Sequence, residues 1–286
     1  MKGPSRKIES RAWPLRAVRI AAIAVSATSV AACGAPHPRA DDSARAADAG
    51  YLAPDARIDA VTFLHPPPDS DSAAQRHDEA TATAGLALRG TPRWSLAADD
   101  AVLSFPEAGA TFECALGVPL SDQHTPATLR MLRTTLNDVV EATHSVKAHY
   151  RRARPFMVNH QPLCTPEDEE DLRSNGAYPS GHASLGWLWS LVLADVAPDR
   201  TEPLLSRGRD FGESRIVCNV HWRSDVLAGR ELADAMAVRI RAAAAYRRDL
   251  DAARREIARP QAVGVRSTRD CAREAAVLGS AALPAE

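Results

Sequence analysis

Pro179-Ser180-Gly181-His182 leads directly into Ala183-Ser184-Leu185-Gly186-Trp187-Leu188-Trp189-Ser190-Leu191-Val192-Leu193-Ala194-Asp195-Val196, a run that is apolar on nearly every side. A helix of that composition has no solvent face and belongs in the middle of a domain. Its two tryptophans read as core. Ser180 is placed to cap it, and Gly181 removes the side-chain barrier to close backbone approach. The remainder of the chain should therefore supply helices to wrap this one.

Working outward, the flanking segments carry helical rather than alternating periodicity. Thr125-Pro126 opens a long helix to about Tyr150, with Leu129, Leu132, Leu136, Val139, Val140, Thr143 and Val146 on one broad face; a hydroxyl residue before proline is an expected start signal. Ser70 or Ser72 can cap a helix running towards Arg89. Further helices are expected over Glu202 to about Phe211, from near His221 to about Ala242, and over Asp249 to Arg259, the last charged and exposed. No strand ladder and no repeat emerge. The expectation is all-α, a single helical-bundle domain.

Three polar islands interrupt these helices. His221 and Asp225 are four apart, on one helical face, so the carboxylate can fix the imidazole tautomer and direct the far nitrogen as nucleophile or base. Arg215 lies six residues upstream of His221, next to Ser214. Free amides at the start of the buried helix attract an anion, and His182 there could protonate a departing alkoxide. Lys147 and Arg154 are seven apart, about two turns, and Pro155 pushes Arg154 out of α geometry and stops the helix. An arginine fork grips two oxygens of one phosphate, and lysine adds a compact charge. Taken singly, each island also fits a bland reading: a surface His–Asp pair, a helix cap with a packed histidine, two exposed cations.

Together they form Lys, six residues, Arg-Pro; then Pro-Ser-Gly-His; then Ser-Arg, five residues, His, three residues, Asp. This composite resembles the type 2 phosphatidic acid phosphatase and vanadium haloperoxidase superfamily. His149-Tyr150-Arg151-Arg152-Ala153-Arg154-Pro155-Phe156-Met157-Val158-Asn159, Gly176-Ala177-Tyr178-Pro179, Gly186-Trp187 and Val217-Cys218-Asn219-Val220-His221-Trp222-Arg223-Ser224-Asp225-Val226 are similar to the secreted class A non-specific acid phosphatases. The resemblance covers roughly Phe63 to Arg259. It implies an all-helical domain hydrolysing phosphate monoesters (nucleotides, sugar or aryl phosphates) with neither metal nor cofactor. It also implies roles: His221 as nucleophile assisted by Asp225, His182 as general acid, and Lys147, Arg154, Ser180, Gly181 and Arg215 as phosphate-binding groups, with Ser214 in support. The competing readings are a vanadate-dependent haloperoxidase and a catalytically silent phosphate-binding envelope lipoprotein.

Composition sets the wider frame. The 286 residues, 45% of them hydrophobic, suffice for one sizeable core. A formal net charge of -1 offers no global field for nucleic acid, so Arg151-Arg152-Ala153-Arg154 is not read as a nucleic-acid patch. Residues 1–32 read as a signal peptide of lipoprotein type. Lys2, Arg6, Lys7, Arg11, Arg16 and Arg19 precede an apolar run from Ile20 to Ala32 that is too short to span a bilayer as a mature helix. Val30-Ala31-Ala32-Cys33 resembles a lipobox, so Cys33 is the expected lipidation site and the only membrane attachment; ordinary cleavage after a nearby alanine is the alternative. The protein is expected in the periplasm, with an outer-membrane anchor if Cys33 is acylated; homodimerisation is left open.

Residues 33–57 read as a flexible spacer, 58–259 as the all-α domain and 260–286 as a poorly patterned tail. Four further cysteines allow three pairings. Cys164–Cys218, stapling segments beside the site, and Cys114–Cys271, tying down the tail, are favoured over free thiols. No zinc-type Cys/His spacing occurs. Leaving-group contacts are expected from loops that include 112–119.

Overall fold

The computed structural model describes residues 49–262, 264–280 and 283; the leader, Cys33 and most of the spacer lie outside them. Among the described residues there are helices and no strand, as the periodicity demands. The longer helices are α1 (Ala73–Leu86), α2 (Pro92–Asp99), α3 (Pro126–Tyr150), α4 (Gly181–Val196), α5 (Thr201–Val217), α6 (Arg223–Ala242), α7 (Ala244–Ala262) and α8 (Cys271–Gly279). None of the described helices is long and apolar enough to cross a membrane.

The apolar run is indeed the hub. Helix α4 packs on α3, α5, α6 and α7, with Leu185, Leu188, Trp189, Val192 and Leu193 fully or almost fully buried. Trp189 donates its indole N–H to the Leu132 carbonyl at 3.0 Å, which satisfies the one polar atom such a ring brings inside. Close approach of α5 depends on Gly186: a Cβ there would sit 2.3 Å from Phe211 Cδ1. Gly229 does the same for α6, where a Cβ would fall 2.6 Å from the Ser180 carbonyl oxygen. These contacts draw the N-terminal ends of α4 and α6 together, and the Ser180 amide donates to the Asp225 carbonyl at 2.9 Å.

Several local expectations need correction. Thr125 does not cap α3 with its side chain. Glu256 of α7 instead accepts from the amides of Ala127 (2.8 Å) and Thr128 (3.0 Å), a carboxylate placed where the helix exposes its free N–H groups. Helix α7 is accordingly not a merely solvated rod, since it also buries Tyr246, Ala253 and Ile257. Helix α5 runs past Phe211 to Val217, and α6 starts at Arg223 rather than His221. Helix α3 ends at Arg151 in left-handed geometry (φ 44), three residues before Arg154, so Pro155 is not what stops it. Tyr51 and Leu52, inside the expected spacer, donate their amides to Asp138 at 2.8 and 2.9 Å, and Leu52 is buried. The tail contributes α8, fastened by the disulfide Cys114–Cys271; Cys164–Cys218 is the other bond, the favoured pairing. Phe112 and Leu116 are fully buried, so the 112–119 segment is core rather than a loop at the site.

Candidate active site

All three polar islands meet where α4 and α6 begin. The turn between α5 and α6 carries His221, and its path is set by the Arg215 carbonyl, which accepts from the amides of Val220 (3.1 Å) and His221 (3.2 Å). Asn219 takes left-handed geometry in this turn (φ 63); its side-chain amide donates to the carbonyls of Gln161 and Pro162, and the neighbouring Cys218 is bonded to Cys164. Asparagine tolerates that conformation better than other side chains.

Arg154, in extended geometry ahead of Pro155, reaches across this turn. Its Nη1 donates to the Val220 carbonyl at 2.9 Å and lies 3.1 Å from His221 Nε2. Guanidinium has no acceptor, so Nε2 must present its lone pair and the ring proton must sit on Nδ1. Nδ1 faces Asp225 Oδ2 at 3.4 Å. The same carboxylate accepts the Trp222 amide at 2.8 Å and the Arg152 Nη1 at 2.5 Å. His221 is thus a neutral imidazole, with a carboxylate behind it and a cation in front.

Burial first, then the charges of Arg154, Lys147 and Arg215, hold the His221 pKa well below the ordinary histidine value. His182 is depressed as strongly, by burial first and then chiefly by Arg215; its Nε2 lies 3.0 Å from the Ala101 carbonyl and its ring stacks on Phe211. Burial also pushes Arg154 and Arg215 down to about 10, and Lys147 below the usual lysine range with help from Arg154. Asp225 is shifted the other way, burial raising it against the pull of Arg152. Burial is the first cause of each shift, and repulsion among the cations adds to it for His221, His182, Lys147 and Arg215, a local excess of positive charge.

Arg215 shows that excess most plainly. Its side chain is 1% exposed, its Nε has no hydrogen-bond partner, and its Nη1 lies 4.0 Å from Cys218 Sγ. A buried guanidinium with no carboxylate in contact, only Asp168 and Asp100 acting from farther off, carries a large desolvation cost that a bound anion would relieve. Lys147 spends one donor on the Gly176 carbonyl at 2.8 Å, and its Cε would lie 4.0 Å from a Cβ at Gly181. Ser180 Oγ accepts the Ala183 amide at 3.2 Å as the α4 cap, and its own proton has no acceptor among the described residues. The start of α4, which Ser180 caps, adds partial positive charge here. The arrangement gathers Lys147, Arg154, Arg215 and the Ser180 hydroxyl around the lone pair of His221 Nε2, a set chemically suited to cradle an oxyanion.

Ser214 stands apart from the cradle. Its hydroxyl donates to Asp100 Oδ2 at 2.6 Å and accepts from Arg93 Nη1 at 2.9 Å. It braces α5 one residue before Arg215. Two participants escaped the sequence reading: Arg152, the partner of Asp225, and Asp78 of α1, which holds Arg152. Nothing in their spacing marks them, because their partners are 73 and 74 residues away. Beside the cradle opens a cleft of about 590 Å³ lined by Lys147, Arg151, Arg152, Arg173 and Asn175. Among the described residues no three His, Cys, Asp or Glu gather as a metal-binding group.

Comparison with known proteins identifies the family. Residues 130–249 match the PAP2 superfamily model. The chain is 38% identical over 208 residues to a non-specific acid phosphatase of Salmonella typhimurium, covering 72% of this chain and 83% of that one. It is 38% identical to an acid phosphatase of Zymomonas mobilis (70% and 75% covered) and 34% identical to a non-specific acid phosphatase of Providencia stuartii (78% and 90% covered).

Proposed function

Because the chain belongs to the PAP2 superfamily, alongside non-specific acid phosphatases, we propose that it hydrolyses small phosphate monoesters through a phosphohistidine on His221, without a metal ion. The observation that carries this is the lone pair of His221 Nε2, fixed by Arg154, with the charges of Lys147 and Arg215 buried beside it. In this reading Lys147, Arg154, Arg215, Ser180 Oγ and the Gly181 amide hold the three peripheral phosphoryl oxygens. Transferring phosphoryl groups spread charge over those oxygens, so fixed cationic donors supply most of the catalysis. The protein neighbours leave room for a Cβ at Gly181 (3.8 Å to Thr143 Oγ1), so any need for glycine there comes from the bound phosphate.

Nε2 attacks phosphorus in line as the ester oxygen departs, and His182 delivers a proton to that oxygen. Asp225 stabilises the positive ring so formed. His182 then takes a proton from the water that cleaves the P–N bond, and inorganic phosphate leaves. The depressed pKa of His221 keeps the nucleophile unprotonated into the acid range. His182 needs the opposite state, and an arriving dianion supplies the charge that raises its pKa in the complex. An acidic to neutral rate optimum follows.

The test is hydrolysis of a chromogenic aryl phosphate in excess chelator, with acid-quench trapping of phosphoenzyme. Turnover and trapped phosphate should both persist in chelator and vanish in His221→Ala; trapping in that variant at the wild-type level removes His221 from the role. We also propose export, with Cys33 as lipid-modified terminus. The leader pattern supports this, as do two disulfides, which persist in an oxidising compartment. Mass spectrometry of the mature N-terminus checks it.

A further inference from the structure

We propose that Asp78 and Arg152 are positioning residues that keep Asp225 ionised and aimed at His221, which extends the reaction machinery to a helix outside the 130–249 family match. This inference rests on His221 being the nucleophile. It also accounts for one arginine of the Arg151-Arg152-Ala153-Arg154 run that the phosphate cradle leaves unused.

The geometry is a chain of buried polar contacts. Arg152 Nη1 donates to Asp225 Oδ1 at 2.5 Å and to Ser224 Oγ at 2.6 Å. Its Nη2 donates to Asp78 Oδ2 at 2.8 Å and to Gln75 Oε1 at 2.7 Å, both on α1. Asp78 in turn accepts the Ser224 amide at 2.8 Å and the Ser224 hydroxyl at 2.5 Å, which clamps α1 to the first turn of α6, one residue before Asp225. The Arg152 and Asp78 side chains are 9% and 2% exposed, and the guanidinium lies over the Trp222 ring at 5.7 Å. Arg152 is therefore held at both ends and has one free choice of function: to neutralise Asp225.

Asp225 needs that partner because its other neighbours do not suffice. It is fully buried, and burial raises its pKa. The charged and titratable groups facing it are Arg152, Lys147 and Arg154 from the α3 end and the loop after it, Tyr178 ahead of α4, and His221 from its own turn. The cations among these, apart from Arg152, belong to the phosphate cradle and are neutralised when substrate binds. Only Arg152 remains to hold the carboxylate charged at the moment the ring becomes positive. A protonated Asp225 could neither accept the Nδ1 proton's hydrogen bond well nor stabilise the phosphorylated ring.

The experiment compares wild type with Arg152→Gln, Arg152→Lys, Asp78→Asn and the Asp78→Asn/Arg152→Gln double variant, using aryl phosphate hydrolysis across pH and a thermal melt of each. Arg152→Gln should lower kcat about 100-fold with KM within about twofold, and move the acid limb of kcat to higher pH. Arg152→Lys should return part of the rate and of the limb. Asp78→Asn should cost about tenfold, and adding it to Arg152→Gln should cost little more, since both act on one group. An acid limb that stays in place in folded Arg152→Gln overturns the proposal, as does a loss matched by the loss of folded protein. Fully additive losses in the double variant overturn the chain from α1. Each result is read on enzyme that still turns over, so it is separable from failure of the His221 reading, which is decided by the silent His221→Ala control.

Discussion

Helix α5 carries two buried arginines eight residues apart, and they live under opposite rules. Arg207, 3% exposed, is answered by carboxylates: Nη1 donates to Asp100 Oδ2 at 3.2 Å, Nη2 pairs with Asp100 Oδ1, and Nε, which makes no hydrogen bond, lies 3.5 Å from Glu274 of α8. Burial works against its charge, but Asp100 overrides that and its pKa ends above the ordinary arginine value. Arg215, two turns on, is as buried but has no carboxylate in contact; burial first and then Arg154 bring its pKa down to about 10 against the weaker pull of Asp168 and Asp100. The lesson is that burial alone does not mark a functional charge. What marks it is whether the fold provides the counter-charge or leaves that to a ligand.

The largest contrast is expected from truncating the unanswered arginine. Arg215→Met removes a phosphate donor and should lower kcat/KM by about 10²–10³-fold, the usual loss for one charge-stabilising donor. Its melting temperature should hold or rise, because an apolar side chain replaces an uncompensated buried cation. Steady-state kinetics with a thermal melt of the same sample check both halves. A strongly lowered melting temperature would place Arg215 in the same class as Arg207 and end the comparison.

Asp100→Ala tests the other arginine. It leaves Arg207 with only the more distant Glu274 and Ser214 with only the Asp210 carbonyl, which should cost about 3 kcal/mol in urea unfolding. The folded fraction should nearly keep its KM, since Asp100 reaches the cradle only through the Ser214 brace and a weak long-range pull on Arg215. A collapse of activity without loss of stability would show that the two clusters are one.

Orthovanadate or phosphate should then stabilise selectively. At a hundredfold excess over Kd, an oxyanion that binds only folded protein adds about 2.7 kcal/mol. Wild type and Asp100→Ala should gain alike and Arg215→Met much less. Equal gains in all three would move the anion site elsewhere.

The same distinction explains what was legible in the sequence. The buried run from Ala183 to Val196 announced the hub because composition alone forbids it a solvent face, and the cradle residues sit at helix ends where spacing is informative. The answering charges were not legible. Glu256 under Ala127, Asp78 beside Arg152, Asp100 beside Arg207 and Asp138 under Leu52 are each chosen across 74 to 129 residues. A lone acidic residue on a helix reads as solvated face until the fold brings it a partner. The 112–119 segment misled for a related reason: its turn-like glycine and proline hide that Phe112 packs edge-on to Trp189.

The smallest effect is also the one that ties charge to pH. His182 and His221 are held neutral in the folded protein, with pKa values well below the unfolded value near 6.5. Unfolded chains therefore bind more protons below that pH, and stability must fall as the solution is acidified. Asp225 works the other way: its folded pKa is raised, so acidification through that raised value favours the folded state and returns part of the loss. As pH falls below 6.5 the two histidines set the sign, and net stability should decline. Saturating phosphate supplies the missing anion, raises the folded pKa of His182, and should flatten that slope. Urea unfolding across this range, with and without phosphate, measures it; an identical slope in both would mean that the oxyanion and the two imidazoles do not share a pocket.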